Sequence, residues 1–458
     1  MVLRSNNRFL VARAHAGMTG NDTSPSNWRA ALSWSVLLSL LFLVVYGSCN
    51  WITSRRSDVG VVQFEWERAI PIIPAMIIPY MSIDLFFVAA PFLCRSSQAL
   101  HTLVGRIGTA TIVAGACFLF MPLQMAEERP EFSGFFGVIH DLLKAGDRPY
   151  NLFPSLHVTY LLTLWAVYGH YLRGLAAALL HVWFSLVLVS VLFVYQHHVI
   201  DMAGGAALAI ACCYTFPANR PPKRAGRASV VPRSRTGAIY LLSAGVLAAV
   251  SYGIGGWGLI GLWPAVSLVV VAAGYFGLGP AIFRKADGQI PLSARWVLGP
   301  YLGGLFVSRL WYWRTDRPYH QVVATVILGR RLGERASRSA IGEGVTAVLD
   351  LTAEHAAAPA LRGLPYLNVQ VLDLIVPTVK QLGEAAKFIA EHAAQGVVFV
   401  YCGLGYSRSA AAVAAYLLAC GAAENVEDAC AMILRARPRA VFKPDLLAVL
   451  EAYNETLR

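Results

Sequence analysis

Charge is scarce in this chain. Of its 458 residues only 14% are Asp, Glu, Lys or Arg, while 57% are hydrophobic and the mean hydropathy is +0.54. A soluble globular domain carries about a quarter charged residues. A chain this apolar needs lipid as part of its solvent, which excludes an ordinary soluble enzyme. Acid is scarcer than base, with 26 Asp+Glu against 38 Lys+Arg and a formal net charge of +12. In a membrane protein such an excess sits in cytoplasmic loops beside anionic lipid, so the expected partners are membrane and lipid rather than nucleic acid. CxxC pairs are missing, and Cys117, Cys212 and Cys213 lie inside apolar runs. Neither a disulfide framework nor a zinc site is expected, and no metal or other cofactor is implied. A clean signal peptide is also missing, because Arg4, Arg8 and Arg13 precede an apolar run that begins only near Ala30.

Apolar runs of bilayer-spanning length are there in number. They lie near 30–48, 70–94, 107–125, 155–172, 174–195, 200–216, 237–254 and 257–278, the second interrupted by Pro71, Pro74 and Pro79. Nothing beyond about 320 is long enough to span. There the texture changes to strand-like runs at Val322–Leu328, Val345–Leu351 and Val397–Tyr401, with an amphipathic helix pattern at Val379–Ala394. The expected fold is therefore a multi-pass α-helical membrane bundle of about eight spans, six of them a core, followed by a soluble α/β domain. The expected divisions are a basic N-terminus at 1–29, the six-span core at 30–216, a basic loop at 217–236, two further spans at 237–278, a linker at 279–321 and the soluble domain at 322–458. Within the linker, Phe306–Arg314 (FVSRLWYWR) suits either a lipid interface or packing on the soluble domain. The stretch 217–236 carries Arg220, Lys223, Arg224, Arg227, Arg233 and Arg235 without an acid, whereas 122–153 is mixed. The positive-inside rule then places both chain ends in the cytoplasm.

The sharpest local signal is VVFVYCGLGYSRSAAAVAAYLL, a buried strand ending at Tyr401, a loop from Cys402 to Arg408, then a helix. A tight loop before a helix N-terminus turns successive N–H groups inward and makes an anion nest. Gly403, Leu404, Gly405, Tyr406 and Ser407 would supply that nest, with the two glycines permitting close approach to phosphoryl oxygens. The same field lowers the pKa of Cys402, a candidate nucleophile, and Arg408 offers a fork for two phosphate oxygens. Ser409 is placed to hydrogen-bond Cys402 or help its departure. This loop resembles the Cys-x5-Arg signature of protein tyrosine phosphatases, specifically the dual-specificity group, and the resemblance extends over about 322–458 through GVTAVLDLTAE, LPYLNVQVLD and ILRARPRAVFKPDLLAVLEAY. It implies that Asp373 is the general acid. Tyr401 departs from the family, which usually has His before the cysteine, and the extra loop Lys of phosphoinositide-specific relatives is missing.

A second constellation joins FPSLH, Phe153 to His157, with YQHHVID, Tyr195 to Asp201. Ionisable groups in or beside a span are costly and point to function. Pro154 suits the first turn of a helix, leaving Ser155 and nearby N–H groups to face an anion. His197 and Asp201, at i and i+4, are expected on one helix face, with Asp201 holding the imidazole of a nucleophilic His197. His157 would protonate the leaving group. The set resembles the last two motifs of the type-2 phosphatidic acid phosphatase superfamily, in its inositol-phosphorylceramide synthase-like branch, with Leu156 and Val191 in place of a family Gly and Arg. No clean match to the first motif exists, since Lys144 and Arg148-Pro149 are too closely spaced.

The two resemblances together imply a bifunctional phosphatase of phospholipid head-group metabolism in a bacterial inner membrane. A histidine site would act on lipid phosphate at the outer face, and a cysteine phosphomonoesterase in the cytoplasm on a lipid head group or a phosphoprotein. One alternative is a lipid head-group phosphotransferase with a regulatory protein phosphatase domain. Another is a non-catalytic sensor of phosphorylated ligands. The chain from about 318 onward is expected to be self-sufficient.

Overall fold

The computed structural model describes residues 27–127, 131–218, 233–314 and 316–458. The basic N-terminus and most of the 217–236 loop lie outside these residues. The chain forms two compact units, Met1–Ala218 and Asn219–Arg458.

The first unit is helical. Its elements are α1 (Trp28–Thr53), α2 (Ile77–Leu93), α3 (Ser97–Phe120), α4 (Gly134–Gly146), α5 (Leu156–Tyr171), α6 (Gly174–Phe193) and α7 (Val199–Thr215). Side-chain caps fix several starts, with the Asn27, Ser96 and Ser155 side chains accepting the Arg29, Ala99 and Val158 N–H groups. Helix α5 is central and packs against α2, α3, α6 and α7. Leu161 and Leu164 of α5 are buried with Ile107, Ala110 and Phe118 of α3 and Phe184 and Val187 of α6. Outward positions such as Leu43, Val44, Leu85 and Leu179 are exposed, so these helices are apolar all round, as lipid requires.

Among the described residues six helices are long and apolar enough to cross a membrane: Trp28–Thr53, Pro74–Leu93, Ser97–Phe120, Gly174–Phe193, Ser234–Ile254 and Gly256–Phe283. The runs expected at 155–172 and 200–216 are shorter helices, of 16 and 17 residues. The third run begins at Ser97 rather than near 107, because Ser96 caps it there and Arg106 Nε, inside it, donates to the Phe216 carbonyl at 2.9 Å.

The second unit opens with α8 (Ser234–Ile254), a 3-10 turn, and α9 (Leu262–Ala273). The expected linker holds α10 (Leu292–Val297) and α11 (Gly299–Trp313). A five-stranded sheet follows: β1 (Tyr319–Val323), β2 (Val326–Arg330), β3 (Val345–Thr352), β4 (Tyr366–Val371) and β5 (Val397–Cys402), in the order β1-β2-β5-β3-β4. All pairs are parallel except the β1–β2 hairpin. The run Val322–Leu328, read as one strand, is thus the turn of that hairpin. Helices α14 (Val379–Ala393), α15 (Arg408–Ala419), α16 (Val426–Ala436) and α17 (Pro444–Glu455) cover one face; α12 (Glu334–Gly342) and α13 (Pro359–Arg362) cover the other. The alanine-rich start of α15, with Ala410, Ala411, Ala412, Ala414 and Ala415 fully buried, lets it press against the sheet. Strand β5 is central, and its carboxyl end delivers Cys402 to the crevice where α/β sheets bind ligands.

Several residues ahead of 318 pack into the soluble domain, among them Tyr275, Phe283 and Tyr301, which share a core with Ala353 and Leu372. Lys285 Nζ donates to Asp350 Oδ2 at 2.7 Å and to the Thr352 carbonyl at 2.8 Å, with both ion-pair partners fully buried. Arg309 of α11 is buried against His355.

Candidate active site

Cys402 is buried between strand and helix. Its Sγ accepts from the Gly405 N–H and the Ser409 hydroxyl, both at 3.3 Å. Burial alone would raise the thiol pKa. The Arg408 charge, the Ser409 hydroxyl and the Ser409 and Gly405 N–H groups outweigh it, and the pKa lies below the ordinary thiol value. Gly405 has φ of +76°, and a Cβ there would lie 2.5 Å from the Gly329 backbone, so only glycine fits against β2. Gly403 is not in that conformation; a Cβ there would come within 3.3 Å of Arg408 Nη2, which makes room for the guanidinium its role.

Arg408 is oriented from behind. Nη1 and Nη2 donate to Glu354 Oε2 and Oε1 at 3.0 and 2.8 Å, and Nη1 also donates to the Val371 carbonyl at 2.7 Å. The fork expected to face phosphate is therefore taken by Glu354, leaving the Nε–Nη2 edge toward the cleft. Nη2 donates there to Asp373 Oδ1 at 3.0 Å. Burial opposes the Arg408 charge, but Glu354, Asp373 and Cys402 hold its pKa well above the ordinary value. Burial likewise opposes the Glu354 carboxylate, yet Arg408 and His355 bring its pKa down to about 2.

Cys402, Gly403, Leu404, Tyr406, Ser407, Arg408, Asp373 and Glu354 line one cleft of about 220 Å³. Ser407 is the residue ahead of α15, and its carbonyl accepts the Ala411 N–H at 2.8 Å. The loop is held from below by buried Arg437, whose Nε and Nη2 donate to the Gly405 and Leu404 carbonyls at 2.8 and 3.0 Å and whose Nη2 pairs with Asp316 at 2.8 Å. Tyr401, standing where the resemblance expects His, stacks on Phe399 beneath the loop at 5.2 Å.

The acid loop is held from the other direction. The Tyr275 hydroxyl donates to the Asp373 carbonyl at 2.9 Å, and the Arg233 guanidinium donates to the Leu374 carbonyl. Arg233 directly precedes the apolar helix α8 and also lines the cleft, pairing with Asp445 at 3.1 Å; Tyr275 lies two residues past the end of α9, inside the apolar segment Gly256–Phe283.

Glu354, Arg309, Lys285, Tyr275 and Arg437 were not reached from the sequence. The partners named above lie 32 to 121 residues away along the chain, beyond any local spacing rule. Glu354 alone had a local cue, as the last residue of the strand-end run LTAE.

In the first unit the structure gathers the histidines differently from the expected pattern. Helix α7 starts at Val199, so His197 precedes it and does not share a helix face with Asp201. His197 Nδ1 and Asp201 Oδ2 are 3.7 Å apart, too far for the expected hydrogen bond. Asp201 Oδ2 instead accepts the His198 N–H at 2.8 Å, and His198 Nδ1 meets Glu67 Oε2 at 3.0 Å. Ser155 precedes α5, and its hydroxyl is occupied as the cap; its N–H donates to the Asp201 carbonyl at 3.0 Å. Gly205 permits that approach, since a Cβ there would lie 2.4 Å from the Ser155 carbonyl oxygen. His157 stacks on Tyr80 at 4.2 Å and lies close enough to His197 for their charges to interact. His157 Nε2, His197 Nδ1 and Asp201 Oδ1 are buried without hydrogen-bond partners. Among the described residues no group of three His, Cys, Asp or Glu side chains could hold a metal.

A parallel sheet whose central strand runs into a cysteine loop, with an arginine at the start of the next helix, defines a cysteine-dependent phosphatase domain. Residues 334–456 match the family of the dual specificity phosphatase catalytic domain, so the C-terminal part of the chain carries such a domain. Phosphatidylglycerophosphatase and protein-tyrosine phosphatase 1 of Mus musculus is 29% identical over 150 residues, 30% of this chain and 77% of that protein. Its counterpart in Rattus norvegicus is 27% identical over the same share. The crystal structure of PTPMT1 in complex with PI(5)P is 25% identical, with a TM-score of 0.29 over 31% of this chain and 97% of that one.

Proposed function

We propose that the C-terminal domain hydrolyses a phosphomonoester on a lipid head group at the membrane surface. The carrying observation is that Arg233 and Tyr275, at the ends of two apolar helices, hold the carbonyls of Leu374 and Asp373 in the wall of the cleft containing Cys402. A site built onto the ends of membrane helices meets substrates confined to the same bilayer at high effective concentration. The mouse and rat relatives, whose name begins with phosphatidylglycerophosphatase, are consistent with a lipid.

In this reading the substrate phosphate displaces the Asp373 carboxylate from Arg408 and takes the Nε–Nη2 edge, while loop N–H groups bind its other oxygens. The Cys402 thiolate attacks phosphorus. The S–P bond forms as the ester P–O bond breaks, and Asp373, protonated from solvent once it has left Arg408, gives that proton to the leaving oxygen. Asp373, now a carboxylate, takes a proton from water as the water oxygen attacks phosphorus. Phosphate leaves, and Ser409 donates to the departing thiolate. The test is phosphate release from lipid monoesters in vesicles by the full-length protein. Cys402→Ser should abolish it, and undiminished turnover in that variant would remove the mechanism. Binding without turnover in the wild type would favour a sensor.

A second reading concerns the helical unit. Three buried unpartnered atoms, on His157, His197 and Asp201, favour a histidine-based lipid phosphate or phosphotransfer site there. His197→Ala should remove any lipid reaction that survives in Cys402→Ser; if no such reaction exists, this reading falls. From the charge pattern we place the phosphatase domain in the cytoplasm of a bacterial cell and the histidines at the outer face. A reporter active only outside the cytoplasm should work when fused after residue 145 and stay silent after 228 or 458.

A further inference from the structure

Helix α11 carries two unlike faces. On one, Arg309 is buried, its Nε donating to the Leu305 carbonyl at 3.0 Å and its Nη1 meeting His355 Nε2 at 2.5 Å. His355 Nε2 lies 3.5 Å from Glu354 Oε1, and Glu354 holds both terminal nitrogens of Arg408. Burial, with Arg309, Arg331 and Arg408 nearby, outweighs Glu354 and pushes the His355 pKa well below its ordinary value. The imidazole is therefore neutral and accepts from the Arg309 guanidinium. A line of neighbours thus runs from α11 to the phosphate-binding arginine: Arg309 donates to His355, the His355 ring lies against Glu354 without sharing a proton, and Glu354 holds Arg408.

The other face carries large exposed apolar side chains, bordered by exposed Ser308 and Arg314. Phe306, Val307, Leu310 and Trp311 are 48%, 66%, 39% and 74% exposed and form one stripe at helical spacing. Large bare apolar patches mark contact surfaces. What covers this one follows from its continuity with the apolar helices beside it. Leu298 and Tyr301 share a core with Val271 and Tyr275 of the second apolar segment, and Trp263 Nε1 donates to the Trp296 carbonyl at 2.8 Å. The exposed positions Leu242, Val246 and Val250 of α8 carry the same kind of surface.

We propose that α11 is seated in the lipid surface through Phe306, Val307, Leu310 and Trp311, and that Arg309 on its opposite face is a positioning residue for the Glu354–Arg408 phosphate clamp. Membrane contact and phosphate binding then meet in one helix. The proposal rests on the proposed function and on the reading of Ser234–Ile254 and Gly256–Phe283 as membrane-crossing.

Two measurements test it in the full-length protein reconstituted in phosphatidylcholine–phosphatidylglycerol vesicles. For the surface, a nitrobenzoxadiazole label is placed at Val307→Cys or, in parallel, at Leu242→Cys, both in a Cys402→Ser, Cys420→Ser background. Position 307 should be quenched by doxyl-labelled lipid and shielded from iodide. Lipid quenching at 242 but iodide quenching at 307 would overturn the proposal while leaving the membrane reading intact. Iodide quenching at both would sink that reading as well. For positioning, Arg309→Gln should raise KM for a soluble aryl phosphate and the vanadate inhibition constant about tenfold, with a smaller change in kcat, and Arg309→Lys should recover part of the loss. Unchanged vanadate affinity in folded Arg309→Gln would overturn the positioning role. Should Arg309→Gln not fold, Arg309→Lys decides, by a vanadate affinity between wild type and tenfold weaker.

Discussion

Lys285→Ala isolates the dependence of the phosphatase domain on chain that precedes it. Lys285 and Asp350 are fully buried and 2.7 Å apart, and Lys285 makes further bonds to the Thr352 carbonyl and hydroxyl at 2.8 and 3.2 Å. Removing the ammonium leaves the Asp350 carboxylate in the core with its neutral donors, the Tyr366 hydroxyl and the Thr352 hydroxyl and N–H, and no cation. Breaking one side of a buried pair costs about 3–5 kcal/mol, more than the pair itself contributes over an apolar substitute. For a domain of this size that lowers the apparent Tm by roughly 6–20 °C. The assay is thermal unfolding of the purified full-length protein, followed by tryptophan fluorescence at fixed scan rate. Lys285→Met combined with Asp350→Asn should recover at least half of the loss, because the uncompensated charge is gone. A Tm for Lys285→Ala within about 2 °C of wild type would refute the reasoning, and would return the expectation that the chain from 318 is self-sufficient.

Asp373→Asn should slow turnover of the full-length protein on aryl phosphate by roughly 10²–10⁴-fold while sparing vanadate inhibition, since it removes the proton donor and leaves the clamp. Ser409→Ala removes a donor to the Cys402 sulfur, so the acid limb of iodoacetate alkylation should move to higher pH; an unmoved limb would show that the hydroxyl does not stabilise the thiolate. Stability should fall on acidification below pH about 6.5, because the unfolded chain binds a proton that buried His355, facing Arg309, Glu354, Arg331 and Arg408, refuses. The slope should reach about 1.4 kcal/mol per pH unit and flatten in His355→Gln. Glu354, down to about 2 in the fold, adds a further loss only below about pH 4.5. An unchanged slope in His355→Gln would assign the acid sensitivity elsewhere.

What the sequence disclosed was local. The cysteine loop could be read because nucleophile, nest and arginine fall within one strand–loop–helix, and the hydrogen bond from Ser409 to Cys402 follows from that spacing. The β1–β2 hairpin was hidden because its turn, Ala324-Thr325, carries no Gly, Pro, Asn or Asp to interrupt the apolar run. Strand β4 was not among the expected strands; Asn368 and Gln370 interrupt its apolar pattern and spend their amides on the Asp350, Thr352 and Lys285 carbonyls. The His197–Asp201 spacing misled because a spacing of four has its geometric meaning only inside a helix, and α7 begins two residues after His197. The braces on Arg408 and on the acid loop were invisible for a more general reason. The first joins the end of β3 to the start of α15, 54 residues apart, and the second depends on a core in which Tyr275, Leu298 and Tyr301 meet Ala353 and Leu372.

The hold of Arg233 and Tyr275 on the acid loop carries a kinetic consequence. Under the proposed function, with those helices in a bilayer and a lipid as substrate, the active site does not sample the bulk; enzyme and substrate share one two-dimensional sheet. Its rate law is then written in the mole fraction of substrate among neighbouring lipids and in lateral diffusion. Doubling the vesicle concentration at constant composition should leave the velocity per enzyme unchanged, whereas diluting the substrate with inert lipid should slow it.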